Sequence, residues 1–296
     1  MKRPLLILIV ALLLLDFGIL QALRRGPGEM QVHMLNIGQG DSLLLRTVEG
    51  HQILVDGGPD AKVLQELGAV MSPAFKSIDL MVLTHPHADH INGLIPVLDR
   101  FEVKAVLMTM PNYPGLAYDQ FLKRLKDHQI PVYSAEAKTD FRFGEVTLNV
   151  LYPFEPISGV TLSNVNNASP VIRVESPNGQ ILLMGDAEQE VESALLAKGV
   201  DLEADILKAG HHGSKTSSTL PFLEAVDPKV MLISDGIGND YGHPSPTTLE
   251  KAATLDIEVR RTDLEGRITL CVQSSRQVLG VFDRIVRIRG PCKSRH

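Results

Sequence analysis

Three imidazoles and one carboxylate crowd the segment Thr84-His85-Pro86-His87-Ala88-Asp89-His90. Imidazole and carboxylate donors together suit Zn²⁺, Mn²⁺ or Fe, and the chain's cysteines, Cys271 and Cys292, stand far away in no ligand pattern. The stretch before the segment, Ser77 to Leu83, reads as a buried strand, and Ile91 to Leu98 after it reads as the start of a helix. The candidate ligands therefore sit on a strand-to-helix loop. His85 and His87 alternate along extended backbone and can face one ion, whereas Asp89 and His90, on the first helical turn, point toward a second. A polar loop with incidental histidines is the competing account, and it leaves this spacing unexplained.

The elements that must position this loop occur twice. At an offset of about 127 residues, Asp41 to Arg46 followed by Gln52 to Gly57 matches Ser169 to Val174 followed by Gln180 to Asp186. Each half thus opens with a hairpin. Ile78 to His85 then matches Ala204 to His211, which puts His85 and His211 at equivalent strand ends, and both halves return to a strand at Val103 to Met108 and Lys229 to Ser234. Two such sheets bury one apolar face against each other and cover the other with helices, an α/β fold built as a four-layered αββα sandwich. Glu102 to Asn112, Pro153 to Asn167 and Gly236 to Pro246 are the Gly/Pro/Asn-rich connections that would frame a cleft along one edge.

H-x-H-x-D-H after an apolar strand resembles the signature of the metallo-β-lactamase superfamily. Asn36-Ile37-Gly38-Gln39-Gly40-Asp41-Ser42, Ile53 to Gly58, Leu183-Met184-Gly185-Asp186, His211-His212-Gly213-Ser214 and Asn239 to Pro244 narrow the likeness to its ComEC-type branch, from about Met30 to Leu270. The resemblance implies a hydrolase that uses two divalent metal ions, Zn²⁺ or Mn²⁺. Asp186, delivered to the same edge by the strand before it, would bridge them, with a helix N-cap before Ala187 to Glu190 as its competing role. His243 would be a second-metal ligand or a substrate-binding imidazole. The chain departs from the common pattern at Ser163 to Ser169, where many relatives supply a further histidine and this one has none. His211 is a candidate replacement ligand or general acid, with His212 the less certain neighbour; Asp89, His211 and His243 are the expected catalytic residues. Asp56 would accept a ligand histidine's distal N–H or brace the metal loop. Gln39, Gly40 and Asp41 form a tight turn able to approach substrate, and Ser214 and Lys215 offer a hydroxyl and a cation to a phosphate oxygen.

With 296 residues, 44% hydrophobic and 22% charged, the chain is long enough for one substantial core after a short extension. Met1-Lys2-Arg3-Pro4 precedes an apolar run from Leu5 to Leu15, then Asp16 and Phe17 to Leu23, so residues 1–28 read as a signal peptide or membrane anchor. The hydrolase domain is expected over 29–283 and a basic tail over 284–296, with the enzyme membrane-anchored or secreted and its domain on the extracytoplasmic side. Cys271 and Cys292 could pair there, or Cys271 could simply be buried beside a loose tail. A net charge of −6 excludes a polycation that coats nucleic acid, so any such grip is local: Lys208, Lys215, Arg284, Arg287, Arg289, Lys293 and Arg295 are the candidates.

Two adjacent metals suit in-line attack on phosphorus. Hydrolysis of a phosphodiester is the expected reaction, and the ComEC resemblance implies single-stranded DNA, with a DNA-uptake channel as a partner. A β-lactamase-like hydrolase of a small ester or amide is the alternative enzyme. A non-catalytic binding domain is the alternative of another class.

Overall fold

A computed structural model describes residues 29–72, 76–274 and 286–289. The expected signal or anchor over 1–28 and the Cys292 half of the cysteine pair lie outside the described residues. Within them no helix is long and apolar enough to cross a membrane.

Two large sheets carry the fold. The first runs Val286–Arg289, Ile268–Ser274, Met30–Met34, Leu43–Arg46, Gln52–Val55, Leu80–Leu83, Val106–Met108, Val132–Ser134. The second runs Glu258–Arg261, Val230–Ile233, Ile206–Lys208, Gly179–Leu183, Val171–Ser176, Val146–Tyr152, Asp140–Phe143. Each contains an antiparallel hairpin followed by three parallel strands on the same side. That shared order is the structural form of the sequence repeat.

The alternation of strand side chains sorts the apolar residues into layers. Leu43, Leu45, Ile53, Val55, Leu80 and Val82 face Ile181, Leu183, Ile206, Val230 and Leu232 across the space between the sheets. Their neighbours Leu44, Leu54, Met81 and Leu83 point the other way, under helices Lys62–Val70, Leu94–Leu98 and Leu116–Asp127. In the second half Leu182, Leu207, Met231 and Ile233 do the same under Gln189–Ala197, Leu220–Val226 and Pro246–Thr254. Three cores between four layers explain why these strands are apolar on both faces. Burying each such side chain contributes about 1.5–3 kcal/mol, enough to hold polar loops rigidly at the sheet ends.

Three segments differ from the sequence reading. Val103 to Met108 is split: Glu102–Val103 pairs with Ser77–Ile78 in a separate two-stranded ribbon, and only Val106–Met108 enters the sheet. The helix after the ligands is also split, into Ala88–Ile91 and Leu94–Leu98. Its backbone is diverted to neighbours, since Asp89 O accepts from Asp41 N at 3.2 Å and Gly93 N donates to Gly58 O at 2.9 Å. In the basic tail, Val286–Arg289 forms the outermost antiparallel strand of the first sheet, where a frayed end was the simpler expectation.

Candidate metal centre

The buried strand Leu80–Leu83 ends at Thr84, which ties the ligand loop to the preceding hairpin. Thr84 N donates to Asp56 Oδ1 at 2.9 Å and its hydroxyl donates to Asp56 Oδ2 at 2.7 Å. Asp56 Oδ2 also lies 2.8 Å from His90 Nδ1. Asp56 Oδ2 is placed to accept a hydrogen bond from His90 Nδ1–H, which leaves Nε2 turned toward the other donors. Gly57 N donates to His90 O at 2.8 Å, completing the clamp.

Nitrogens and carboxylates converge on Asp186. Its Oδ2 stands 3.7 Å from His85 Nε2, 3.3 Å from His90 Nε2 and 3.5 Å from His212 Nε2. His85 Nε2 is 3.0 Å from His87 Nδ1, so these two rings turn nitrogens toward one point. Asp89 Oδ2 lies 3.8 Å from His90 Nε2 and 3.5 Å from His212 Nε2. One clustered donor set is therefore His85, His90 and Asp186, with His87 joined to it through His85, and the other is Asp89, His90 and His212, which Asp186 also approaches. Asp186 is held from behind, its N–H donating to Ser169 Oγ at 3.0 Å; Ser169 Oγ is also 3.4 Å from His85 Nδ1. Gln189–Ala197 starts only after Glu188, so Asp186 is not its N-cap.

His212, not His211, enters the cluster. The equivalence of His85 and His211 assumes that both strands continue extended, but His211 and His212 take left-handed φ angles of 45° and 52° between Gly210 and Gly213. This turn swings His212 inward and leaves His211 partly exposed, with Nδ1 2.9 Å from Glu188 Oε1. Two consecutive non-glycine residues at positive φ store strain that a functional site warrants. The His-free segment beside them serves Glu188 instead: Asn164 Nδ2 and Asn166 Nδ2 donate to its two carboxylate oxygens at 3.0 and 2.9 Å.

The donors fit divalent cations. His90 Nε2, His212 Nε2 and Asp186 Oδ1 are buried without any hydrogen-bond partner, an expensive condition that a metal relieves. Burial would raise the Asp186 carboxyl, yet His212 and His90 hold it well below the ordinary range. Burial would likewise lower His90 and His212, but Asp186, with Asp56 or Asp41, raises both well above the usual imidazole value. This field favours positive charge at the Nε2 atoms, and an ion there displaces the protons. Burial lowers His85 and His87, which suits neutral imidazole donors.

Several expected substrate contacts are placed elsewhere. Asp41 is buried and forms an ion pair with Lys208 Nζ, and its Oδ1 lies 3.2 Å from His212 Nδ1; it braces a ligand and does not reach substrate. Lys208 is equally buried, donating to Gly185 O at 2.9 Å, so it is no grip for nucleic acid. Burial works to raise Asp41, and Lys208 and His212 hold it below the ordinary carboxylate value. Gly40 is required beside it: at φ 112° a Cβ would stand 2.1 Å from Asp89 O. Gln39 Oε1 accepts from Gly236 N at 3.4 Å and Gly40 O accepts from Ser234 Oγ at 2.6 Å, so this turn joins the two halves. Ser214 is buried and its Oγ lies 3.1 Å from Thr216 Oγ1, which removes it as a phosphate donor, whereas Lys215 is exposed. His243 is outside the clustered donor groups found among the described residues. Its ring stacks on that of His212 at 6.2 Å and its Nδ1 is unpartnered. Burial, with His211 and His212 nearby, lowers His243 to about 4, so it lines the cleft as a neutral imidazole.

The model of the metallo-beta-lactamase superfamily matches residues 35–234, more than half of the 296-residue chain. ComE operon protein 3 of Bacillus subtilis is 28% identical over 257 residues, covering 81% of this chain and 33% of that protein. Competence protein ComA of Neisseria gonorrhoeae is 28% identical over 243 residues, covering 81% and 32%. The chain thus spans about a third of the length of these relatives. Among solved structures, CmlA, a diiron beta-hydroxylase from Streptomyces venezuelae, shares the fold with a TM-score of 0.55 at 18% identity, over 83% of this chain and 55% of that one.

Proposed function

The chain belongs to the metallo-beta-lactamase superfamily, and from that premise we propose that it is a two-metal phosphodiesterase acting on single-stranded DNA. The observation that carries the reading is Asp186 Oδ2, which stands within 3.3–3.7 Å of imidazole nitrogens from both donor sets, so that Asp186 would help hold both ions. Two divalent cations, Zn²⁺ or Mn²⁺, would supply Lewis acidity to a phosphoryl oxygen and lower the pKa of a water. Around them the chain's own groups have distinct tasks. His243 stacks on His212 and serves as a substrate-binding imidazole beside the metal donors. Glu188 Oε1, 2.9 Å from His211 Nδ1, orients that ring and leaves its Nε2 to meet the departing oxygen as the general acid. Lys215 meets an adjacent phosphate.

Competence names among the relatives support DNA as the polymer and a DNA-uptake channel as a partner. The test is a substrate panel offered to the metal-loaded full chain. Single-stranded DNA should be cut, EDTA should stop the cutting, and a β-lactam should stay intact. Lys215→Ala should cut more weakly, with a log–log salt slope smaller by about one unit. Opening of the β-lactam while every phosphodiester survives would reject the reading.

Lys2 and Arg3 ahead of the Leu5 to Leu15 run support a membrane-anchored or secreted enzyme whose domain faces outward. A reporter fused after His296 should then be destroyed by protease added to intact cells. Persistent protection would put the domain inside.

A further inference from the structure

Three rings step outward from the metal ligands to solvent. His212, whose Nε2 is 3.5 Å from both Asp89 and Asp186, stacks with His243 at 6.2 Å and 29°; His243 stacks in turn with Tyr241 at 5.9 Å and 26°. The last ring has no cover: Tyr241 is 71% exposed, and Ile237 on the same loop is 87% exposed. The loop holding them is nonetheless fixed. Asn239 Nδ2 donates to Gly236 O at 3.2 Å and His243 O at 2.7 Å, while its Oδ1 accepts from Tyr241 N at 3.1 Å and His243 N at 3.0 Å. A large ring held in place on a tied loop, bare on its outer side and two stacking steps from a metal ligand, is a preformed surface for another flat ring.

We propose that Tyr241 is the stacking platform for an unpaired base of the substrate strand, next to the nucleotide whose phosphate reaches the metals. The proposal rests on the phosphodiesterase reading and adds what holds the strand. Tyr113, beside His87, offers no such face: it is partly buried, meets His87 edge-on at 5.9 Å and 68°, and packs on Tyr118. Among the described residues of the neighbouring loop, Lys215 supplies a single charged contact beside the ring. The chain carries −6, and Lys208 is consumed internally by Asp41. Stacking on an aromatic side chain is open to every base, and only to a base that is out of a duplex. The platform therefore selects single strands with little regard to sequence.

The test compares binding by the metal-loaded full chain of a labelled phosphorothioate dT oligomer and of a tetrahydrofuran abasic strand of equal length. Tyr241→Ala should weaken dT binding about 5- to 150-fold, equivalent to about 1–3 kcal/mol at 1.36 kcal/mol per decade. It should leave abasic-strand binding, metal content and the unfolding midpoint where they were, and Tyr241→Phe should restore the dT affinity. Equal loss for both strands, or a wild type that binds both alike, overturns the platform; so does Tyr241→Ala binding dT like wild type, as it would if Tyr241 and Ile237 served a protein partner. Hydrolysis is scored separately. A wild type that discriminates dT from the abasic strand but cuts no phosphodiester refutes the activity and leaves the platform standing.

Discussion

Lys208→Met is expected to cost about 3–5 kcal/mol of folding stability, because it strips the buried Asp41 carboxylate of its ammonium partner. The side chain lies inside the sandwich, where water cannot replace the lost contact, and Gly185 O loses its 2.9 Å donor at the same time. Denaturant titration reads the effect directly. Adding Asp41→Asn to Lys208→Met should recover much of the loss, since a buried carboxylate left with only His212 Nδ1 at 3.2 Å is what is expensive. Metal affinity should stay depressed in the double variant, because His212 Nδ1 no longer faces a carboxylate. A loss below about 1 kcal/mol for the single variant would mean that the pair is not stabilising the site.

Asp89→Ala is expected to cut turnover about a thousandfold or more and to lower metal content from two ions to one per chain. A metal-centred stabilisation of several kcal/mol disappears with the second ion, and about 4 kcal/mol is three decades in rate. The fold should not notice: Asp89 is partly exposed, its side chain lies outside the apolar cores, and its backbone bond to Asp41 N survives the change. Elemental analysis and the unfolding midpoint separate the two effects. Near-normal turnover, or two retained ions, would remove Asp89 from the ligand set.

What could be read from the residues was whatever depends on local pattern. His85, His87, Asp89 and His90 sit in one short window, and the hairpins that open each half are strongly apolar, so loop, layers and duplication were all legible. What escaped depends on geometry that only tertiary packing sets. Neighbouring residues on an extended strand point apart, so the sequence favours His211 over His212; the flanking Gly210 and Gly213 are the signal that the backbone leaves that conformation. As a candidate grip for nucleic acid Lys208 would have to face solvent, but Ile206-Leu207 before it is apolar, and a charge at the end of a buried strand needs a buried partner. That partner, Asp41, is far away in the chain, on a turn whose small residues suggested substrate approach. Ser214 failed for the same reason: a hydroxyl beside a lysine looks available until its neighbours in the turn are known.

Because the site takes His85, His87, Asp89 and His90 from one repeat and Asp186 and His212 from the other, neither repeat is a smaller version of the whole. The seam is stitched by Ser234 to Gly40, Gly236 to Gln39 and Lys208 to Asp41. Parting the repeats would therefore dismantle the donor cluster in the same motion, and ions held there would act as a clasp across the joint. Metal loading would then set not only the reactivity of the centre but also how firmly the two repeats hold together.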